Sequence, residues 1–177
     1  YRHVANGSLI VMSNFHLNRL ANTLLNNWQL APLFHITDGQ PINVSSGQDT
    51  SLTDMGNDRP NLINPGQIYT GKAITRTSAG NMYYLSAGAF AQASLGTYGN
   101  VGRNSLRGFN NVQIDAEINR SFPLKEQMAL HLRLEAFNVI NHPNLGNPNS
   151  SLASSTFGQV TSSGSPRIFQ VAAKLTF

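Results

Sequence analysis

The chain has 177 residues, a net charge of +4 and no cysteine, and only 11% of its residues are charged, against about 25% for an ordinary soluble domain. The missing cysteine excludes a disulfide scaffold, a thiolate zinc site and a cysteine nucleophile. No window approaches the ~18 apolar residues of a membrane-crossing helix, and an apolar content of 40% is too high for simple disorder. Polarity comes from 21 Asn, 17 Ser and 11 Thr, while nine Arg and three Lys are scattered. No basic run tracks a phosphate backbone, so nucleic acid is not an expected partner. The chain opens on Tyr1 without a leader, as expected of a processed form or a piece of a longer chain.

In chain order, Ser8–Phe15 reads as a strand. His16–Asn27 follows as a helical turn or irregular connection, with Leu17, Leu20, Leu24 and Leu25 at partial helical spacing. Trp28–Thr37 is a second strand, with Trp28, Leu30, Pro32, Phe34 and Ile36 on one face. Pro32 costs a ladder hydrogen bond and points to an edge, a bulge or a bend. Asp38–Asn110 loses all periodicity and is rich in turn formers; at roughly 70 residues it far exceeds an ordinary loop. Asn111–Ser121 alternates strictly: Val112, Ile114, Ala116 and Ile118 are apolar, and Gln113, Asp115, Glu117 and Asn119 are polar. A turn over Phe122–Glu126 leads to a strand at Gln127–Phe137, making a hairpin. A second long loop, Asn138–Ser165, precedes a last strand at Arg167–Phe177.

Period-2 alternation gives each strand one dry face and one wet face. No helix or second sheet is evident to cover the dry faces. Strand lengths near 9–11 residues, with short turns at one end and long loops at the other, match a transmembrane barrel. The expected fold is therefore all-β: up-and-down antiparallel strands, the last five or so of a transmembrane barrel, with long extracellular loops. Residues 1–177 are read as one such C-terminal part.

With the hairpin turn centred near Leu124, Asp115 should face Arg133 and Glu117 should face His131. On the other face, Ile118 should meet Leu130, Ala116 meet Leu132, and Ile114 meet Leu134. Asp115, Glu117, His131, Arg133, Glu135 and Lys174 form the candidate lumen-facing charge network. A metal or acid/base cluster is the sharper reading, but a cation at its centre favours a charge-balanced wall. No Gly-x-Ser-x-Gly elbow occurs. Gly99-Asn100-Val101-Gly102 lacks the Lys-Ser/Thr of a phosphate loop. No catalytic residue, metal or cofactor is expected. Trp28, Tyr83, Tyr84, Phe90 and Tyr98 are packed loop residues or an interfacial girdle. Tyr83, Tyr84 and Tyr98 are also candidates to stack on a ligand.

Several short motifs follow one another in a specific order: Trp28-Gln29-Leu30, Gly39-Gln40-Pro41, Arg59-Pro60-Asn61, Gly102-Arg103-Asn104-Ser105-Leu106-Arg107-Gly108, Arg133-Leu134-Glu135-Ala136-Phe137-Asn138 and Asn141-His142-Pro143-Asn144. Gly158, Pro166-Arg167-Ile168 and a terminal Lys174-Leu175-Thr176-Phe177 complete the set. From about Trp28 to Phe177 the chain resembles the C-terminal end of TonB-dependent outer-membrane receptors of the Oar-like, acidobacterial type. The resemblance implies a barrel of about 22 strands with an upstream plug, in the outer membrane of a Gram-negative bacterium. It implies energised uptake of a scarce, unknown small solute. The partners implied are outer-membrane lipid, the barrel-assembly machinery and the TonB complex, the last through an N-terminal part not included here. Phe169, Val171, Ala173, Leu175 and Phe177 resemble the C-terminal assembly signal. A passive porin-like barrel and a secreted glycan-binding β-sandwich are the alternatives.

Overall fold

A computed structural model describes the chain apart from Tyr1, Met55, residues 72–74, Ser78 and Glu126. It divides into a sheet unit, residues 2–38, 111–144 and 165–177, and a loop unit, residues 39–110 and 145–164. Among the described residues no helix is long and apolar enough to cross a membrane.

The sheet unit contains β1 (Val4–Ser8), β2 (Val11–Met12), α1 (Arg19–Leu25), β3 (Trp28–Thr37), β4 (Asn111–Lys125), β5 (Met128–Phe137) and β6 (Ile168–Thr176). The strands run antiparallel in the order β1-β3-β4-β5-β6, with β2 also paired to β3. With β1 and β2 as two pieces of one strand, each strand lies beside its sequence neighbour, as an up-and-down meander requires.

The first strand begins earlier than expected and is split: Val4–Ser8 and Val11–Met12 replace Ser8–Phe15. Pro32 is the cause. Both pieces keep one register against β3, from Val4 opposite Thr37 to Met12 opposite Gln29. Leu9 falls opposite Pro32 and donates to its carbonyl at 3.2 Å, but proline has no N–H to return. The gap opens there. On the other side β3 pairs with β4 without interruption from Thr37 to Trp28.

The hairpin register differs from expectation. Glu117 faces Glu135, Ile118 faces Leu134, Asn119 faces Arg133, Arg120 faces Leu132, Ser121 faces His131 and Phe122 faces Leu130. The expected pairs Asp115–Arg133, Glu117–His131, Ile118–Leu130, Ala116–Leu132 and Ile114–Leu134 do not form. β4 runs on to Lys125, through the segment expected to turn, with an irregularity between Pro123 and Lys125. Pro123 is tolerated because β3 ends at Trp28, opposite Arg120, leaving that stretch one neighbour only. The reversal falls between Lys125 and Met128; Glu126, placed at the end of the expected turn, lies outside the described residues. The register error is even, so every residue keeps its face.

One face carries Leu30, Phe34, Ile36, Ile118, Leu132, Leu134, Val171 and Leu175. All are exposed, from 39% at Ile118 to 76% at Val171. In the sheet unit Ala136 is the buried apolar residue; the rest of the buried apolar set belongs to the loop unit.

Asparagine joins these elements. Asn27 adopts a left-handed φ of 64° ahead of β3. The Asn26 amide accepts from the Phe15 N–H at 2.6 Å and donates to its carbonyl at 2.9 Å, as a strand partner would. Asn144 does the same to Val112, at 2.8 and 3.0 Å. Asn138 ends β5 at φ 50°. Only 2% exposed, it accepts from the His142 N–H and donates to the carbonyls of His142 and Ser165.

The long connections are not structureless. They close around Ile42, Val44, Leu85, Ala89, Phe90, Val101, Leu106 and Phe157. Phe90 and Phe157 meet edge to face at 5.6 Å. Two close backbone approaches demand glycine. A Cβ on Gly39 would overlap the Gly108 carbonyl, and one on Gly99 would overlap the Arg59 and Pro60 backbone. Gly108 donates to the Gln40 carbonyl at 2.8 Å and Val101 to that of Pro60 at 3.2 Å. The Arg59 guanidinium donates to the Val101 carbonyl at 3.0 Å. The glycine and Arg-Pro-Asn motifs are thus closures of the loop unit.

Candidate functional site

The polar face of the sheet is built by the strand period. Glu117, Asn119 and Ser121 alternate with apolar residues on β4, and His131, Arg133 and Glu135 do so on β5. The registers place Arg133 opposite Asn119 and Ala172, and His131 opposite Ser121 and Lys174. Glu117, Asn119, Ser121, His131, Arg133 and Lys174 line one concavity of about 430 Å³.

Its electrostatics are local. Arg133 Nε lies 3.6 Å from Glu135 Oε1, with both side chains partly exposed, an arrangement worth at most about 1 kcal/mol. Glu117 and Glu135 are direct cross-strand neighbours, a like-charge pair that costs a few tenths of a kcal/mol or more. Asn119 Nδ2 offsets part of that cost by donating to Glu117 Oε1 at 2.9 Å. His131 Nδ1 lies 2.5 Å from Ser121 Oγ, and its Nε2 lies 3.4 Å from Thr176 Oγ1. A serine–histidine contact has the outline of a nucleophile and base, but a hydroxyl stands where a carboxylate would orient the imidazole. Among the described residues no group of three or more His, Asp or Glu is placed to hold a metal.

Asp115 stands apart from this set. Its Oδ1 accepts from Gln113 Nε2 at 2.5 Å and from the Asn138 N–H at 2.8 Å. It lines a separate hollow with Asn6, Ser8, Leu33, His35 and Gln113. Its role there is to fasten the strand end. The terminal series behaves as one row: Phe169, Val171, Ala173 and Leu175 pair with Ala136, Leu134, Leu132 and Leu130 on the apolar face. Phe177 is 91% exposed.

The aromatic residues separate. Phe90 is core, and Tyr84 packs between Tyr69 and Phe109 at 4.9 and 4.2 Å; burial raises its phenol pKa. Tyr83 is half-buried and pairs with Gln159. These three belong to the loop unit and Trp28 to the sheet unit. Tyr98 is exposed and lines a hollow of about 380 Å³ with Thr53, Gly56, Asn57 and Asp58. Asp58 accepts from the Ser51 N–H at 2.7 Å and from Thr50 Oγ1 at 3.3 Å. The Ser51 backbone donor holds its carboxyl below the ordinary 3.8.

Sequence reading missed one residue in each unit. One is Asp58, whose only signal was its place ahead of Arg59-Pro60-Asn61. The other is Arg120, whose register opposite Trp28 and Leu132 puts it on the apolar face.

Comparison with protein families brings one match: the outer membrane beta barrel domain, over residues 1–170. No curated protein and no solved structure matches the chain. The chain belongs to the outer membrane beta barrel domain family. It is an all-β, antiparallel, partial-barrel domain of a Gram-negative outer membrane, which sets aside the secreted sandwich.

Proposed function

We propose that this outer-membrane barrel domain is the C-terminal wall of a TonB-dependent receptor for energised uptake of a scarce small solute. The loop unit is the observation that carries the reading. Passive pores need little beyond a polar lumen and a constriction. Here more than half of the chain, residues 39–110 and 145–164, builds a body with its own core, as suits solute capture. It holds exposed Tyr98 beside Asp58. The motif order shared with TonB-dependent receptors supports the same reading. In this proposal Glu117, His131, Arg133, Glu135 and Lys174 form the hydrated inner wall, Phe169 to Phe177 carry the assembly signal, and no residue is catalytic.

The test uses the full-length protein that carries this domain. Solute uptake should require the proton-motive force, and planar bilayers should show no standing conductance. A stable open-pore conductance without an energy source would overturn the proposal in favour of a passive porin.

A further inference from the structure

The apolar face holds one residue that does not belong in hydrocarbon. Arg120 shares the parity of Ala116, Ile118 and Phe122, opposite Trp28 on β3 and Leu132 on β5. Its guanidinium carbon stands 4.9 Å from the centre of the Trp28 ring and 4.4 Å from that of Phe122. One Nη donates to the Thr23 carbonyl, and Nε is buried without a partner. Trp28 Nε1 donates to the Leu24 carbonyl at 2.9 Å. Two side chains of the apolar face thus hold the last turn of α1.

That helix has no reason to form in water. Seven residues fall below the length at which an isolated helix persists, and none of them is buried. Leu20 is 78% exposed, and Leu17, Leu24 and Leu25 also face outward. The surface that covers them must be apolar and continuous with the lipid-facing side of the sheet. The chain leaves the sheet at Trp28 through Asn26-Asn27, and Arg120 lies two residues from the centre of β4 toward that end. There an arginine costs less than the roughly 2–4 kcal/mol of the midplane, and its long stem carries the charge toward the boundary. Basic residues outnumber acidic ones at this end, where Glu126 follows Lys125 in the sequence. No acidic residue occurs from Arg2 to Thr37, and Arg19, Arg120 and Lys125 gather at this end.

We propose that α1, Trp28, Arg120 and Phe122 form an interfacial anchor for an anionic phospholipid. The leucines enter the acyl boundary, and Arg120 and Arg19 meet the headgroup phosphate. The proposal rests on the membrane location alone and stands whichever transport mode holds.

Trp28 is the single tryptophan, so its emission reports on this spot. The full-length protein that carries this chain, its other tryptophans replaced by phenylalanine, is reconstituted in phosphatidylcholine bilayers containing equal mole fractions of brominated phosphatidylglycerol or brominated phosphatidylcholine. The anionic quencher should be enriched about fivefold at Trp28, the ~1 kcal/mol that one basic group gains near an anionic surface. R120Q should bring the two quenchers close to equality. Equal quenching with Arg120 in place overturns the proposal, and that comparison does not depend on R120Q folding. A preference untouched in folded R120Q also overturns it. So does a preference abolished by millimolar inorganic phosphate at constant ionic strength, which would mark a free-phosphate site.

Discussion

Ile118 offers the sharpest test of which solvent the apolar face meets. It is the central residue of β4, with seven strand residues on either side. Its row runs from Leu30 through Ile118 and Leu134 to Val171. In lipid, I118R places a guanidinium near the midplane at about 2–4 kcal/mol, too far from either boundary to snorkel cheaply. In water the same change, at a position 39% exposed, would cost within about 0.5 kcal/mol. N119R puts the same group one residue away on the polar face and should cost less than about 0.5 kcal/mol. Urea titration of the chain in phosphatidylcholine vesicles, followed by Trp28 emission, reads the difference. With a slope near 2 kcal/mol/M, I118R should lower the midpoint by about 1–2 M and N119R by less than about 0.3 M. Equal shifts for the two variants would refute the assignment of faces.

Asp58 should make the loop unit acid-sensitive. Its folded pKa lies below the ordinary 3.8, so its stabilisation is complete above that value and is lost as pH falls through the folded pKa. Amide protection of residues 46–54 and 56–58, taken relative to the intrinsic exchange rate at each pH, should fall from about pH 5 to pH 2 in the unaltered chain and hold in D58N. G99A should open the loop unit to protease while leaving the sheet's urea midpoint unchanged, at a cost of about 1–3 kcal/mol for overlap with the Arg59 and Pro60 backbone. N138G keeps the left-handed φ of 50° but removes three side-chain hydrogen bonds. It should cost about 1–3 kcal/mol in the same titration, and a loss under 0.5 kcal/mol would show that only the backbone angle matters.

The strands and their faces were legible because period-2 alternation survives in the sequence wherever one face meets lipid. Trp28–Thr37 matches to the residue, and the last two strands match within one residue at each end. The hairpin register was not legible. Pro123 was read as a turn former, and whether a strand tolerates proline depends on how many neighbours flank it. The same logic explains Pro32, whose missing N–H faces β1 and β2 and splits them while sparing β4. The loop unit was the larger omission. Its buried residues, among them Val44, Leu85, Phe90 and Phe157, are spread over more than a hundred positions with no period to show that they meet.

The low charge and the asparagine excess set the limits from the start. The sequence alone determined a chain whose strands each present one face to something apolar, because alternation is a local property of consecutive residues. Tertiary structure decided the rest: which residues lie opposite one another, that the long connections share a core, and that asparagine amides stand in for peptide groups at Phe15, Val112 and His142. It also decided that Arg120 sits between two aromatic rings beside a helix carbonyl. These depend on residues far apart in the chain being brought within hydrogen-bond or van der Waals reach, and no local pattern encodes that.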